Sequence, residues 1–212
     1  LFYCHCYNLK KTNNEVEILQ TIRPSINKIQ DLLVKKSPTV FKDVLYEWEP
    51  IVNIFDKSLD NINQMLSNDN TFHKDLIDCF NSYSLFGSLG WEYFFFKKTI
   101  NNTENHFTLQ TQHRHLICQV LGVQRIYLAS PNQSKYIKSK QLDIKANDSS
   151  YLKKNNTKSI VDFWNENETS IAPFNKLEFI EIILREGNIL YIPYGWWFLK
   201  QIEKDSLILE GF

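Results

Sequence analysis

The rhythm of apolar and polar positions changes near Trp91. Before it the chain mixes periods. Glu15 to Leu19 alternates charged and apolar residues, the two-residue period of a strand. Pro24-Ser25 then opens a stretch in which Ile26, Ile29, Leu32 and Leu33 fall on one helical face, with Ser25 placed to cap it. Pro38 to Phe41 reads as a short buried strand, followed by Val44, Leu45 and Trp48 and a stop at Pro50. Residues 58–66 and 72–80 have helical spacing after polar turn material. Beyond Trp91, strand signals dominate. They fall at Tyr93–Phe96, Phe107–Thr111, Leu116–Leu121, Arg125–Leu128, Leu177–Leu184, Asn188–Ile192 and Ser206–Leu209. Gly122 separates the third and fourth, and the polar, lysine-rich segment 132–158 is expected to be a loop. The pattern predicts one domain over 1–212. Residues 1–90 form a helical part, and 91–212 a strand-built core of antiparallel barrel or jelly-roll type, hence α+β. No internal repeat or heptad pattern is present.

Composition narrows the choice of partner more than of fold. The chain has 212 residues, 24 basic against 24 acidic, so its formal net charge is zero. It has no general attraction for nucleic acid or anionic membranes, which need an excess of Lys and Arg. The aromatic share of 14% excludes disorder over the whole length. No apolar run reaches a membrane-spanning length. The opening Leu1-Phe-Tyr-Cys-His-Cys-Tyr7 is apolar and reads either as a first strand or as the remnant of a targeting segment. Compartment stays open. Cys4, Cys6, Cys79 and Cys118 lack the spacing of a compact disulfide framework, and the charge balance allows the cytoplasm. Five Asn-x-Ser/Thr triplets, at Asn101, Asn132, Asn147, Asn155 and Asn167, allow a secretory or organellar route. Cys4-His5-Cys6 lacks the second ligand pair of a zinc finger.

Two segments carry more than patterning. One runs Leu116-Ile-Cys-Gln119-Val-Leu-Gly122-Val-Gln-Arg125-Ile-Tyr-Leu-Ala-Ser-Pro131. The other runs Arg185-Glu-Gly187-Asn-Ile-Leu-Tyr-Ile-Pro193-Tyr-Gly195-Trp196-Trp197-Phe198. Gly187 permits a tight turn, Pro193 fixes a strand end, Gly195 allows close backbone approach, and the two tryptophans supply apolar area. Together the segments resemble the JmjC-like (cupin-8 type) branch of the cupins, the Fe(II)/2-oxoglutarate oxygenases. That group includes protein hydroxylases, histone demethylases and a wybutosine tRNA hydroxylase. Ser37 to Pro50 is similar to the family's segment in which a short strand leads to a Trp-Pro-like turn, so the likeness extends over roughly residues 15–210. The resemblance implies a double-stranded β-helix carrying N-terminal helices.

The resemblance also implies a metal site that this chain does not reproduce. Active members hold iron on two histidines and a carboxylate, leaving positions for 2-oxoglutarate and oxygen. At the family's spacing the first two ligands fall on Leu109 and Thr111, and the distal histidine on Phe198. The lysine that pairs with the cosubstrate's distal carboxylate falls on Gln124, and an asparagine lining the same pocket on His115. Phe198 and Leu109 are then expected to fill the former metal cavity. A shifted register gives an alternative: His113 and His115 are an i, i+2 pair on one side of a strand, with Gln119 where other cupins place an acid.

The expected function is therefore that of a catalytically inactive JmjC-like cupin. It would need no cofactor and would serve as a structural or protein-binding subunit, with a protein partner or a large assembly as context. One alternative is a working Fe(II)/2-oxoglutarate hydroxylase with non-standard ligands. Another is a metal-free barrel with an open apolar cavity for a small molecule beside Trp196 and Trp197. Lys135, Lys138, Lys140, Lys153, Lys154 and Lys158 read as a solvated loop or as a patch for an acidic partner. There is no Gly-x-Ser-x-Gly, phosphate loop or His-Glu-x-x-His.

Overall fold

The computed structural model describes residues 17–47, 103–111, 114–142, 156–203 and 206–211. The predicted helices at 58–66 and 72–80, the strand at Tyr93–Phe96, Trp48, His113 and three of the four cysteines lie outside them.

The first described unit is β1 (Leu19–Ile22), helix α1 (Ile26–Lys35) and β2 (Thr39–Lys42), with β1 and β2 parallel. Strand β1 begins at Leu19, the last residue of the alternation predicted at Glu15–Leu19. Helix α1 starts as expected: the Ser25 side chain accepts a hydrogen bond from the Lys28 N–H at 3.4 Å. It buries Ile29, Leu32 and Leu33, and it stops at Lys36, which is left-handed at φ 54°.

The remaining strands are β3 (Thr108–Leu109), β4 (Arg114–Leu121), β5 (Val123–Ala129), β6 (Ser139–Leu142), β7 (Asn156–Ser159), β8 (Ile180–Arg185), β9 (Ile189–Pro193), β10 (Trp197–Ile202) and β11 (Leu207–Gly211). A single helical turn, α2 (Glu166–Thr169), is capped by Asn165. The strands form two sheets. One has the order β1-β2-β9-β4-β11, and the other β6-β7-β3-β10-β5-β8. This mostly β, two-sheet arrangement fits a jelly roll, with fewer described helices than the α+β expectation.

Two differences from the sequence reading have clear causes. Segment 132–158 is not simply a loop: it carries a 3₁₀ turn at Pro131–Tyr136, strand β6 and the first residues of β7. The two strands pair with each other from Ser139↔Ser159 to Leu142↔Asn156, β6 forming the sheet edge. Their polar residues lack the apolar alternation that marks a half-buried strand. Strand β10 is the second difference, because Lys200 and Gln201 interrupt its apolar run.

Side-chain alternation sorts the core into two layers. Between the sheets lie Ile117, Ile126, Leu128, Ile182, Leu184, Leu190, Ile192, Trp196, Phe198, Ile202 and Ile208. On the outer side of the second sheet, Phe107, Ala129, Ile137, Phe174, Trp197 and Leu199 form a separate cluster, joined by Leu109, Tyr127, Val161, Phe163 and Leu177. Each fully buried Leu, Ile or Phe side chain contributes about 1.5–3 kcal/mol.

The turn between β8 and β9 depends on a glycine. Gly187 has φ 80°, and a Cβ there would lie 2.3 Å from Cε2 of the Tyr46 ring. The turn is tied to β4 in both directions, by Gly187 N–H to the Gln119 carbonyl (3.0 Å) and Gln119 N–H to the Asn188 carbonyl (2.9 Å). The two motif segments of the sequence are thus locked against each other.

Candidate functional site

The site is built by inward-facing positions of three strands. On β4 the alternation that buries Ile117 between the sheets also turns His115 and Gln119 inward. On β10 it turns Phe198, Lys200 and Ile202 inward and sends Trp197 and Leu199 outward. On β11 it turns Ile208 and Glu210 inward, with Glu210 opposite Ile117 of β4.

His115, Lys200 and Glu210 meet there as a polar cluster. His115 is fully buried, and Lys200 and Glu210 are 5% and 2% exposed. His115 Nε2 lies 3.1 Å from Glu210 Oε2, and Lys200 Nζ lies 2.7 Å from Glu210 Oε1. The ammonium also approaches Glu104 Oε1 at 3.5 Å, while the Glu104 N–H donates to the Lys200 carbonyl at 2.8 Å. Phe198 closes the cluster. Its ring meets the His115 ring edge-on at 5.0 Å, and the Lys200 ammonium sits 5.7 Å from its centroid. The Lys200–Glu210 pair joins one sheet to the other across the interior.

The electrostatics follow from burial and pairing. Burial alone would raise the Glu210 pKa, but the Lys200 ammonium and the His115 hydrogen bond hold the carboxyl well below the usual carboxylate range. Burial would likewise lower the Lys200 pKa, and Glu210 with Glu104 outweighs it, so the amine is held charged. For His115 burial wins over Glu210, and its pKa falls below the ordinary 6.5. The imidazole is therefore neutral, and its Nε2–H donates to the Glu210 carboxylate. Lys200 and Glu210 thus neutralise each other beside a neutral ring, with the Glu104 carboxyl adjoining the ammonium.

The sequence-predicted positions divide. Phe198 and His115 come together inside. Leu109 does not join them: β3 pairs with β10 as Trp197↔Leu109 and Phe198↔Thr108, so Leu109 shares the outer face with Trp197. The expectation that Leu109 and Phe198 fill one cavity fails for that reason, since directly opposed residues of an antiparallel pair share a face. Thr111 is half-buried beyond the end of β3. Gln124 is fully buried on β5 opposite Ile202 and Leu184, and neither of its amide atoms finds a partner among the described residues. Of the alternative pair, His113 lies outside the described residues, and His115 is the residue bound to Glu210. His106 bonds the Val161 carbonyl at 3.0 Å. Lys200, Glu210 and Glu104 have no counterpart among the predicted site residues. The available signal was a charged residue at an inward position of an otherwise apolar strand.

Fitness for metal and cosubstrate can be judged from the donors. Among the described residues no group of three His, Cys, Asp or Glu side chains is placed to hold a metal ion. A metal at His115 and Glu210 would have to displace the Lys200 ammonium, which is buried and held charged. A dicarboxylate would find the Lys200 ammonium already engaged by Glu210 and Glu104. The two tryptophans, expected to flank an open apolar cavity, are both buried in packed layers. Trp196 and Trp197 are 0% and 2% exposed and belong to different layers. A groove of about 310 Å³ lies elsewhere, between Ile18, Gln20 and Val40 on one side and Ile180–Ile183 on the other.

Comparison with known proteins bears on the fold. The family model of the cupin-like domain matches residues 53–206. No curated protein matches the chain significantly. Among the described residues, no helix is long and apolar enough to cross a membrane.

Proposed function

The chain belongs to the cupin-like domain family, and we propose that within it this protein is a catalytically inactive member, a structural or protein-binding subunit of a larger complex. On this reading its two sheets are those of the JmjC-like double-stranded β-helix, in which Phe198 faces the interior while Leu109, the other apolar residue expected at an iron-ligand position, lies on the outer face. One observation carries it: the interior beside Phe198 is occupied by a self-neutralising cluster, Lys200–Glu210–His115, in which each charge is already met by a side chain. Gln124, at the position of the cosubstrate lysine, is a neutral amide and offers a carboxylate no countercharge.

The rival reading is an Fe(II)/2-oxoglutarate hydroxylase with non-standard ligands, and what favours it is the pairing of His115 with a carboxylate at 3.1 Å. If bound, iron with 2-oxoglutarate and O2 would supply oxidative hydroxylation, one oxygen atom passing to the substrate and the other to succinate as 2-oxoglutarate loses CO2. The test is release of succinate from 2-oxoglutarate by purified protein supplied with Fe(II) and a reductant. The inactive reading expects none above the no-protein blank. Protein-dependent succinate that disappears in Glu210→Gln establishes the rival.

A further inference from the structure

The outer face of the second sheet holds an aromatic group that the interior site does not explain. Tyr127, Phe163, Trp164 and Phe179 pack edge to face, with ring centroids 4.9–5.9 Å apart. Trp164 and Phe179 are nevertheless 40% and 42% exposed. Ile183 extends the same face of β8 and is 45% exposed, opposite Arg125 of β5. These rings are held in place. The Trp164 indole N–H donates to the Glu104 carbonyl at 2.9 Å, and the Tyr127 hydroxyl to Gln201 Oε1 at 3.0 Å. Fixed, partly exposed aromatics bind at low entropic cost, and contiguous patches of them mark interaction surfaces.

The surroundings indicate the partner's charge. Segment 160–181, which supplies most of this face, carries Asp162, Glu166, Glu168, Glu178 and Glu181 against Lys176 alone. Arg125 is bridged by Glu181 at 2.7 Å and by Glu203 at 2.8 Å, so its charge is matched twice over. In a chain of zero net charge this is an acidic rim around an aromatic centre. Such a rim repels nucleic acid and anionic lipid and complements Lys and Arg.

We propose that this face docks a segment of another polypeptide that carries Lys or Arg on either side of an apolar anchor, the anchor seating on Trp164 and Phe179. The proposal rests on the protein-binding reading above and names the chemistry of its partner. The test is fluorescence anisotropy with a short labelled peptide alternating Lys and Leu, compared with its Glu/Leu counterpart. We expect saturable binding of the basic peptide, about tenfold or more tighter than the acidic one. Binding weakens at least about tenfold in the double variant Trp164→Ser/Phe179→Ser. It weakens less in Glu166→Lys/Glu178→Lys, whose residues are exposed and not in the core, and is unchanged in Ile22→Ser on the other sheet. Equal affinity for the two peptides, no saturable binding, or an unchanged affinity in both double variants overturns the proposal. Self-association of the wild-type protein that the aromatic double variant abolishes assigns the face to a second copy and also overturns it. The readout needs neither iron nor 2-oxoglutarate. Succinate release would refute the inactive reading without touching this face, and loss of peptide binding would do the reverse.

Discussion

Strand β10 has two sides, and their contents are the reverse of what a surface sheet usually carries. Its inward side presents Phe198, Lys200 and Ile202, and its outward side Trp197, Leu199 and Gln201. The lysine is inside and the leucine outside. The inversion holds because each side has its own cover. Outside, residues 160–179 lay Val161, Phe163, Phe174 and Leu177 over Leu199 and Trp197. Inside, Glu210 and Glu104 meet the lysine. A sheet face is thus buried or exposed by what is laid on it, and a charge is tolerated in the interior when its countercharges arrive from other strands.

The largest effect expected from breaking this comparison comes from the inside. Lys200→Met leaves Glu210 buried without its ammonium and lowers unfolding free energy in urea by about 3–5 kcal/mol. Adding Glu210→Gln should restore most of it, because the neutral amide oxygen can still accept the hydrogen bond from His115 Nε2–H. A double variant as unstable as the single would mean that the lysine acts through packing and not charge. On the outward side, Leu199→Ala opens a cavity among the rings and costs about 2–5 kcal/mol by the same measurement. A cost below about 1 kcal/mol would show that the 160–179 cover is not seated on the sheet.

Acid should act on the inward side through His115 and Glu210. His115 has a folded-state pKa below its ordinary 6.5, so the unfolded chain binds a proton first and stability falls as pH drops below that value. Glu210 adds a second loss as pH falls below the ordinary 4.5 toward its depressed folded value. Melting temperature followed from pH 8 downward should therefore decline first near the histidine range, and His115→Gln should remove that limb while keeping the lower one.

Part of this architecture was readable in the sequence. β4, β5, β8 and β9 were found because their apolar runs abut Gly122, Gly187 or Pro193, and β11 because of its apolar run Leu207–Leu209. β10 was missed because Lys200 interrupts the apolar run that the core requires, and that lysine is the site. The cluster itself was invisible locally. Glu210 is ten residues from Lys200 and 95 from His115 in the chain, and only the sheet topology brings them together. Leu109 was matched with Phe198 by spacing, yet the ladder sets Phe198 against Thr108, and a one-residue offset moves a side chain to the opposite face.

Smaller effects sharpen the contrast. Gln124→Met removes a buried amide whose two polar atoms have no described partner, and it should stabilise the fold by about 1 kcal/mol in urea. Destabilisation there would reveal a partner for the amide. Arg125→Ala removes two exposed ion pairs from the outward face and should leave the melting temperature essentially unchanged.

The most direct measurement is iron stoichiometry after anaerobic loading of the intact chain with Fe(II) and removal of free metal. The internally neutralised interior predicts far less than one iron per chain, in wild type and in Phe198→His alike. One tightly held iron per wild-type chain, released in His115→Gln or Glu210→Gln, would contradict it.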